Sequence, residues 1–340
     1  MTKTLQTLLT VLPSLRLSQL KTLAKIVCAA MKNNFLSLAE LARSIKSPAK
    51  PRHRIKQLAR FLANPRIAPY TFQSAVASFI FPDTPLPHIV AVDWTEFRGF
   101  MCLVAGRVAH GRAIPFLVTT YQKGAPSLSQ NEHEETFFHI LKNTLRGRKF
   151  VVVCDRGFGY RRLIMLLCRL GIRFVIRVKG ATRVRHNGVE AAVKELFSGV
   201  GSGICIAEYG GEEIRVVYGR KRGAKEAWYL LTNCRVSAEE ALRIYYKRMR
   251  IEETFRDLKW AGGVMGMGRL KMRKERNLQM LLSVVMLVYW LLMLLGERIR
   301  RLCNVRDWVS GGGGLSDVKL GRYWVREFGW RIDIRRLTDA

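Results

Sequence analysis

Acidic residues are what this sequence has least of for its size. Its 340 residues hold 26 Asp and Glu against 58 Lys and Arg, a net charge of +32, and between residues 1 and 82 Glu40 is the only acid. Charge this one-sided most simply means a polyanionic partner, either nucleic acid or an anionic membrane surface. Cysteine is sparse and unpatterned: Cys28, Cys102, Cys154, Cys168, Cys205, Cys234 and Cys303 form no Cys-x2-Cys pair and are odd in number. That argues against zinc sites and disulfide frameworks and reads as buried thiols in a reducing compartment. The amino terminus lacks a small-residue cleavage site, and Thr and Gln interrupt its apolar run, so no signal peptide is expected and a cytoplasmic location is. There is one long apolar run, Leu278 to Leu295, long enough to span a bilayer. A helix buried on all sides by protein is just as apolar, and with no second span burial is expected and no membrane partner is.

What is present falls into blocks. A chain of this length can bury a large core and is expected to hold more than one domain. Residues 1–82 read as helices near 17–32, 37–45 and 52–64. Arg43, Lys46, Lys50, Arg52, Arg54, Lys56, Arg60 and Arg66 crowd one short region, which suits a helical DNA-binding module. Prolines from Phe81 to Pro87 mark a boundary. His88 to Val92 reads as a short apolar strand ending on Asp93, followed by strands over 100–107 and 113–121, a helix over 130–145, and a valine-rich strand over 149–154 ending on Asp155. Strands held side by side bring such acids, distant in sequence, within metal-bridging distance. His133-Glu134 fails the His-Glu-x-x-His pattern, since Phe137 stands at the second His position, and reads as the start of a solvated helix. A helix near 160–169 and a strand over 172–178 complete an order strand-strand-strand-helix-strand-helix-strand. Residues 180–233 read as strand-rich, with strands over 204–208, 214–218 and 228–231.

The stretch Tyr245 to Lys259 has no Gly or Pro and reads as one helix. At about 100° per residue, Tyr245, Arg248, Glu252 and Lys259 fall within roughly 60° of one another, beside an apolar stripe of Ile251, Phe255 and Leu258. The pattern Tyr-x2-Arg-x3-Glu-x6-Lys resembles the signature of the DDE transposases of bacterial insertion sequences, specifically the insertion sequence four family. The Asp-x-Thr at Asp93 and the Asp-Arg-Gly-Phe at Asp155 are similar to the regions holding that family's first two acids.

The resemblance implies an α/β fold: a ribonuclease H-like catalytic core in two parts (83–180 and 237–300) around a strand-rich insertion (181–236). An amino-terminal helical DNA-binding domain (1–82) precedes it and a carboxy-terminal tail (301–340) follows. It implies a transposase that binds terminal inverted repeats and carries out metal-dependent DNA cleavage and strand transfer, in a bacterial cytoplasm with the nucleoid. Asp93, Asp155 and Glu252 would be the catalytic acids and the ligands of two Mg2+ or Mn2+ ions, with Asp93 shared. Carboxylates favour such hard cations over zinc. Tyr245, Arg248 and Lys259 would meet DNA at the cut, Arg156 nearby, and Arg52, Arg54, Lys56 and Arg60 on the amino-terminal module. Trp228, in Trp-Tyr-Leu-Leu-Thr, would stack on a flipped base. Double-stranded DNA, as element ends and target, would be the partner, and a homodimer the synaptic form. The alternatives are a catalytically inactive DNA-binding descendant of a transposase, or another ribonuclease H-like DNA nuclease such as a junction resolvase.

Overall fold

Runs of β-branched and aromatic residues set the sheet. The computed structural model describes residues 2–329 apart from 34–35, 125–127, 198–200, 221–225, 260–263, 271 and 304–313. Its central strands are β1 (His88–Phe97), β2 (Phe100–Ala109), β3 (Arg112–Gln122), β4 (Phe150–Cys154) and β5 (Arg173–Val178). β1, β2 and β3 form an antiparallel meander, while β4 and β5 continue beyond β1 in parallel. Helix α6 (Gln130–Thr144) leads from β3 to β4, and α7 (Arg161–Arg169) from β4 to β5, so the expected order of elements is present. β4, with all five residues buried, is the apolar run that a parallel strand covered on both faces requires.

The strand-rich stretch does not stand apart. β6 (Arg183–His186), β7 (Val189–Ala192), β8 (Ser202–Tyr209), β9 (Glu212–Gly219) and β10 (Trp228–Thr232) extend the same sheet, through β10 against β5, to ten strands in the order β3-β2-β1-β4-β5-β10-β9-β8-β6-β7. β6 and β7 are too short and polar to read from sequence. β1 is longer than expected. It runs on to Phe97, so Asp93 lies inside the strand rather than at its end.

The amino-terminal part holds five helices: α1 (Thr2–Val11), α2 (Leu17–Lys32), α3 (Leu38–Ser44), α4 (Pro51–Leu62) and α5 (Pro69–Ile80). Pro69 opens α5 at its first turn, where a missing N–H costs nothing. Downstream of β10 lie α8 (Ala238–Tyr246), α9 (Arg250–Lys259), α10 (Glu275–Leu302) and α11 (Asp317–Phe328). The most apolar 18-residue window of α10 has a mean hydropathy of 2.3 and is 94% buried inside the fold, so its apolar surface is covered by protein. α11 packs back on α10 and α2; Trp330 and Gly311 to Gly313 of the tail lie outside the described residues.

α5, α9 and α10 also seal the free edge of β3, whose outward backbone groups would otherwise be unpaired. The Ala113 N–H donates to Thr254 Oγ1 at 3.1 Å, and that hydroxyl donates back to the Ala113 carbonyl at 2.8 Å. The Val118 N–H donates to Gln73 Oε1 at 3.0 Å, and Gln279 Nε2 donates to the Val118 carbonyl at 3.0 Å. Gln73 in turn donates to Ser283 Oγ at 2.7 Å. These buried amides therefore satisfy the edge backbone and one another.

Candidate active site

β1 and β4 run parallel with His88 opposite Phe150 and Ala91 opposite Val153. Continued by two residues, that register sets Asp93 level with Asp155, just past the end of β4. Asp155 caps the 3-10 turn Arg156–Phe158, its Oδ1 accepting from the Gly157 N–H at 2.8 Å. The third acid arrives from the helical side. Arg248 Nη1 donates to Asp93 Oδ2 at 3.1 Å, and its Nη2 donates to Glu252 Oε1 at 2.8 Å. One guanidinium thus ties the acid of β1 to the acid of α9.

Asp93 bears the cost of this crowding. Burial pushes its pKa up, Arg248 pulls it back, and Asp155 and Glu252 push it further, to about 6. Asp155 and Glu252 therefore lie close enough for Asp93 to feel their charge. Among the described residues no three His, Cys, Asp or Glu side chains stand within reach of a common metal ion. The donor set nonetheless fits a hard divalent cation, since it is all carboxylate and includes an acid whose negative charge is poorly solvated. In this arrangement Arg248 supplies that counter-charge.

The stretch Tyr245 to Lys259 is not one helix. It breaks into a 3-10 turn at Lys247–Met249 between α8 and α9, where the turn lies against β1. No Gly or Pro marks the break, so packing overrides local propensity there. As a result Tyr245 turns inward: it is 3% exposed and meets Trp228 edge-on, ring centroids 4.9 Å apart. The Arg248 guanidinium lies 5.9 Å from the Tyr245 ring centroid. Lys259 Nζ sits 5.4 Å over the Phe97 ring, and burial lowers its pKa. Arg156 is exposed beside Asp155. On α4, Arg52, Lys56 and Arg60 face solvent, whereas Arg54 turns inward to the carbonyls of Arg43 and Ile45, at 3.3 and 2.5 Å.

The structure overturns one reading near the site. Glu134 does not start a solvated helix but is 1% exposed, its Oε1 accepting from Trp94 Nε1 at 2.7 Å and from Gln130 Nε2 at 3.0 Å. The capping box of Ser129 and Glu132 starts the helix instead. Glu134 lies three, four and seven residues before the buried Phe137, Phe138 and Leu141, and that phase was the available signal.

The site is thus two acids level with each other, inside β1 and just past the parallel β4, and a third on α9, joined to the first through one arginine, in a strongly basic chain. The chain belongs to the transposase DDE domain family, whose model matches residues 120–291, about half the chain, including Asp155 and Glu252. None of the curated proteins compared matches it. Among solved structures it is similar to a piggyBac transposase in a synaptic complex with hairpin DNA, at 15% identity and a TM-score of 0.49, over 91% of this chain and 70% of that one. It is also similar to Ciona intestinalis Endonuclease V in complex with a 24mer DNA containing an inosine followed by a ribo-adenosine, at 13% identity and a TM-score of 0.33, over 55% and 92% of the two chains. Human ENDOV matches at 21% identity and a TM-score of 0.31, over 53% and 84%.

Proposed function

We propose that this transposase binds the terminal inverted repeats of an insertion sequence, cuts the DNA there and joins the ends to target DNA, with Asp93, Asp155 and Glu252 holding Mg2+ or Mn2+. The observation that carries the reading is the bridge of Arg248 between Asp93 inside β1 and Glu252 on α9, with Asp155 level with Asp93 just past the parallel β4, in a chain whose family is the transposase DDE domain. When bound, a pair of divalent cations activates the attacking hydroxyl and stabilises the leaving oxygen of a phosphodiester.

The chain's own groups do the rest. Asp93 and Glu252 share Arg248; they would be the residues that hold the cations, and the guanidinium between them would be placed to pair with a DNA phosphate. Lys259, at the end of α9, and Arg156, beside Asp155, add positive charge on the path of the strand. Tyr245 and Trp228 back the site as an aromatic pair, and a base stacked on Trp228 would meet an already anchored ring. Arg52, Lys56 and Arg60 on α4 grip phosphates away from the cut, while Arg54 fixes α3 against α4. Two element ends cut together call for two copies of the chain in the synaptic complex.

The test is a nicking assay with Mg2+ or Mn2+ on a labelled duplex carrying the inverted repeats, comparing wild type with Glu252→Ala. End-specific nicks that vanish in the variant support the reading. Binding without cutting by either protein would make the chain a DNA-binding descendant, and cutting of branched DNA without regard to ends would make it a different nuclease.

A further inference from the structure

Asp93 is reached from both faces of the sheet. In front lies Arg248. Behind, because successive side chains on a strand point to opposite faces, lies the indole of its neighbour Trp94, and three hydrogen bonds run from Asp93 through Trp94 to α6. The Trp94 backbone N–H donates to Asp93 Oδ1 at 2.8 Å. The Trp94 indole Nε1–H donates to Glu134 Oε1 at 2.7 Å. Gln130, one turn earlier on α6, donates to that same oxygen at 3.0 Å. The indole is held laterally as well, edge-on to Tyr121 with centroids 5.5 Å apart, and Tyr121 stacks on His133 at 4.4 Å.

Glu134 is costly where it stands. Its Oε2 is buried with no hydrogen-bond partner, and burial raises the pKa of its carboxyl, with Trp94 and Gln130 acting against the rise. The Tyr160 hydroxyl lies nearby and also lowers that pKa, yet its own hydrogen bond goes to the Asn131 carbonyl at 3.2 Å. A buried carboxyl with one oxygen unsatisfied destabilises the fold unless the other oxygen does something for it. What Oε1 does is fix the indole of the residue that follows Asp93.

We propose that Glu134 is a positioning residue of the active site: through the Trp94 indole it clamps β1 from behind the sheet and so sets the orientation of the Asp93 carboxylate toward Asp155 and Arg248. Glu134 touches neither DNA nor the reacting atoms. Its partner in this role is an oxygen acceptor at Oε1, not a negative charge, so a glutamine serves and a leucine does not. The assignment rests on Asp93 being one of the acids that hold the divalent cation.

The test compares Trp94→Phe, which keeps an aromatic ring but removes the indole N–H, with Glu134→Gln and Glu134→Leu, in the full chain. Three quantities are read: Mn2+ affinity by calorimetry, nicking rate at saturating end DNA, and the Kd for that DNA. The clamp predicts that Trp94→Phe and Glu134→Leu each lose roughly tenfold in Mn2+ affinity or nicking rate, the usual cost of removing a group that orients a metal ligand. The DNA Kd stays unchanged, Glu134→Gln keeps both, and the Trp94→Phe/Glu134→Leu double variant is no worse than the poorer single one. If Glu134→Leu fails to fold, Trp94→Phe alone carries the comparison. Wild-type Mn2+ affinity and nicking in Trp94→Phe would overturn the clamp while leaving the role of Asp93 intact, and so would losses in Glu134→Gln as large as in Glu134→Leu. A wild type that neither binds Mn2+ nor nicks would remove the reading of Asp93 itself, and the clamp with it.

Discussion

Arg248 is the residue on which the free protein's site turns. Its side chain is 11% exposed and that of its partner Asp93 18%, so removing the guanidinium leaves a carboxylate with little water and two neighbouring acids. Arg248→Gln is expected to destabilise the fold by about 3 kcal/mol, the low end for breaking a buried ion pair from one side. A divalent cation can replace the missing charge, so added Mn2+ should raise the melting temperature of Arg248→Gln by more than it raises that of wild type. Equal shifts in the two proteins would show that the cation does not go where Arg248 stands. Glu134 adds a dependence on pH at the same scale. Burial raises its pKa in the folded state above the ordinary 4.5, so the folded protein holds that proton more tightly than the unfolded chain. The stability this confers is full below about pH 4.5 and is lost as pH rises through the folded value. Glu134→Gln has no such proton, and the difference in melting temperature, variant minus wild type, should therefore grow from pH 4 to pH 7; a flat difference would mean that Glu134 titrates as it does unfolded.

Between elements, α11 depends on two glycines. A Cβ at Gly321 would stand 1.9 Å from the Leu292 carbonyl oxygen, and one at Gly296 would stand 1.7 Å from the Asp317 carbonyl oxygen. The backbones of α10 and α11 touch there, and no other residue fits. Gly321→Ala must push α11 away, at about 3 kcal/mol or more by the upper range for overpacked sites. Limited proteolysis between the two helices should follow it, and a variant that melts and resists protease like wild type would refute the close approach. The elements also show how far sequence alone reaches. α2, α4, α6 and α7 were legible to within about two residues because each carries its apolar stripe at helical spacing, and β4 was legible as an unbroken valine run. α5 was not, because a proline at its start, Pro69, suits a turn as well as the first residue of a helix. The 3-10 break at Lys247–Met249 left no local mark, and the turn packs against β1, about 150 residues earlier. At the site, the resemblance to the transposase family singled out Asp93, Asp155 and Glu252, but the bridge of Arg248 to Asp93 joins residues 155 apart in sequence and could not be read from it. Glu134 was misread because charge was weighed above helical phase.

For the whole molecule the governing quantity is the excess of 58 basic over 26 acidic residues, and in the proposed function the question is which face would meet DNA. Most of α4 that faces solvent is cationic or polar. Lys56 and Arg60 line, with His53 and with Ser18, Gln19 and Thr22 of α2, a groove of about 330 Å³. The segment that follows α4 is tied to α10, because Arg276 donates to the Asn64 and Ile67 carbonyls at 2.7 and 3.1 Å. A strand gripped there is held in fixed relation to the acids. Removing one cation from a bound phosphate reduces the slope of log K against log salt by roughly 0.9, so the double variant Lys56→Gln/Arg60→Gln should bind end DNA more weakly and with a slope shallower by roughly 2. Glu252→Ala should leave that slope unchanged while abolishing nicking, since its carboxylate touches no phosphate in this reading. A titration series of both proteins between about 50 and 300 mM salt separates the two roles. A Lys56→Gln/Arg60→Gln slope equal to wild type would place the DNA on another face of the molecule, and a changed slope in Glu252→Ala would mean that the acid shapes binding as well as chemistry.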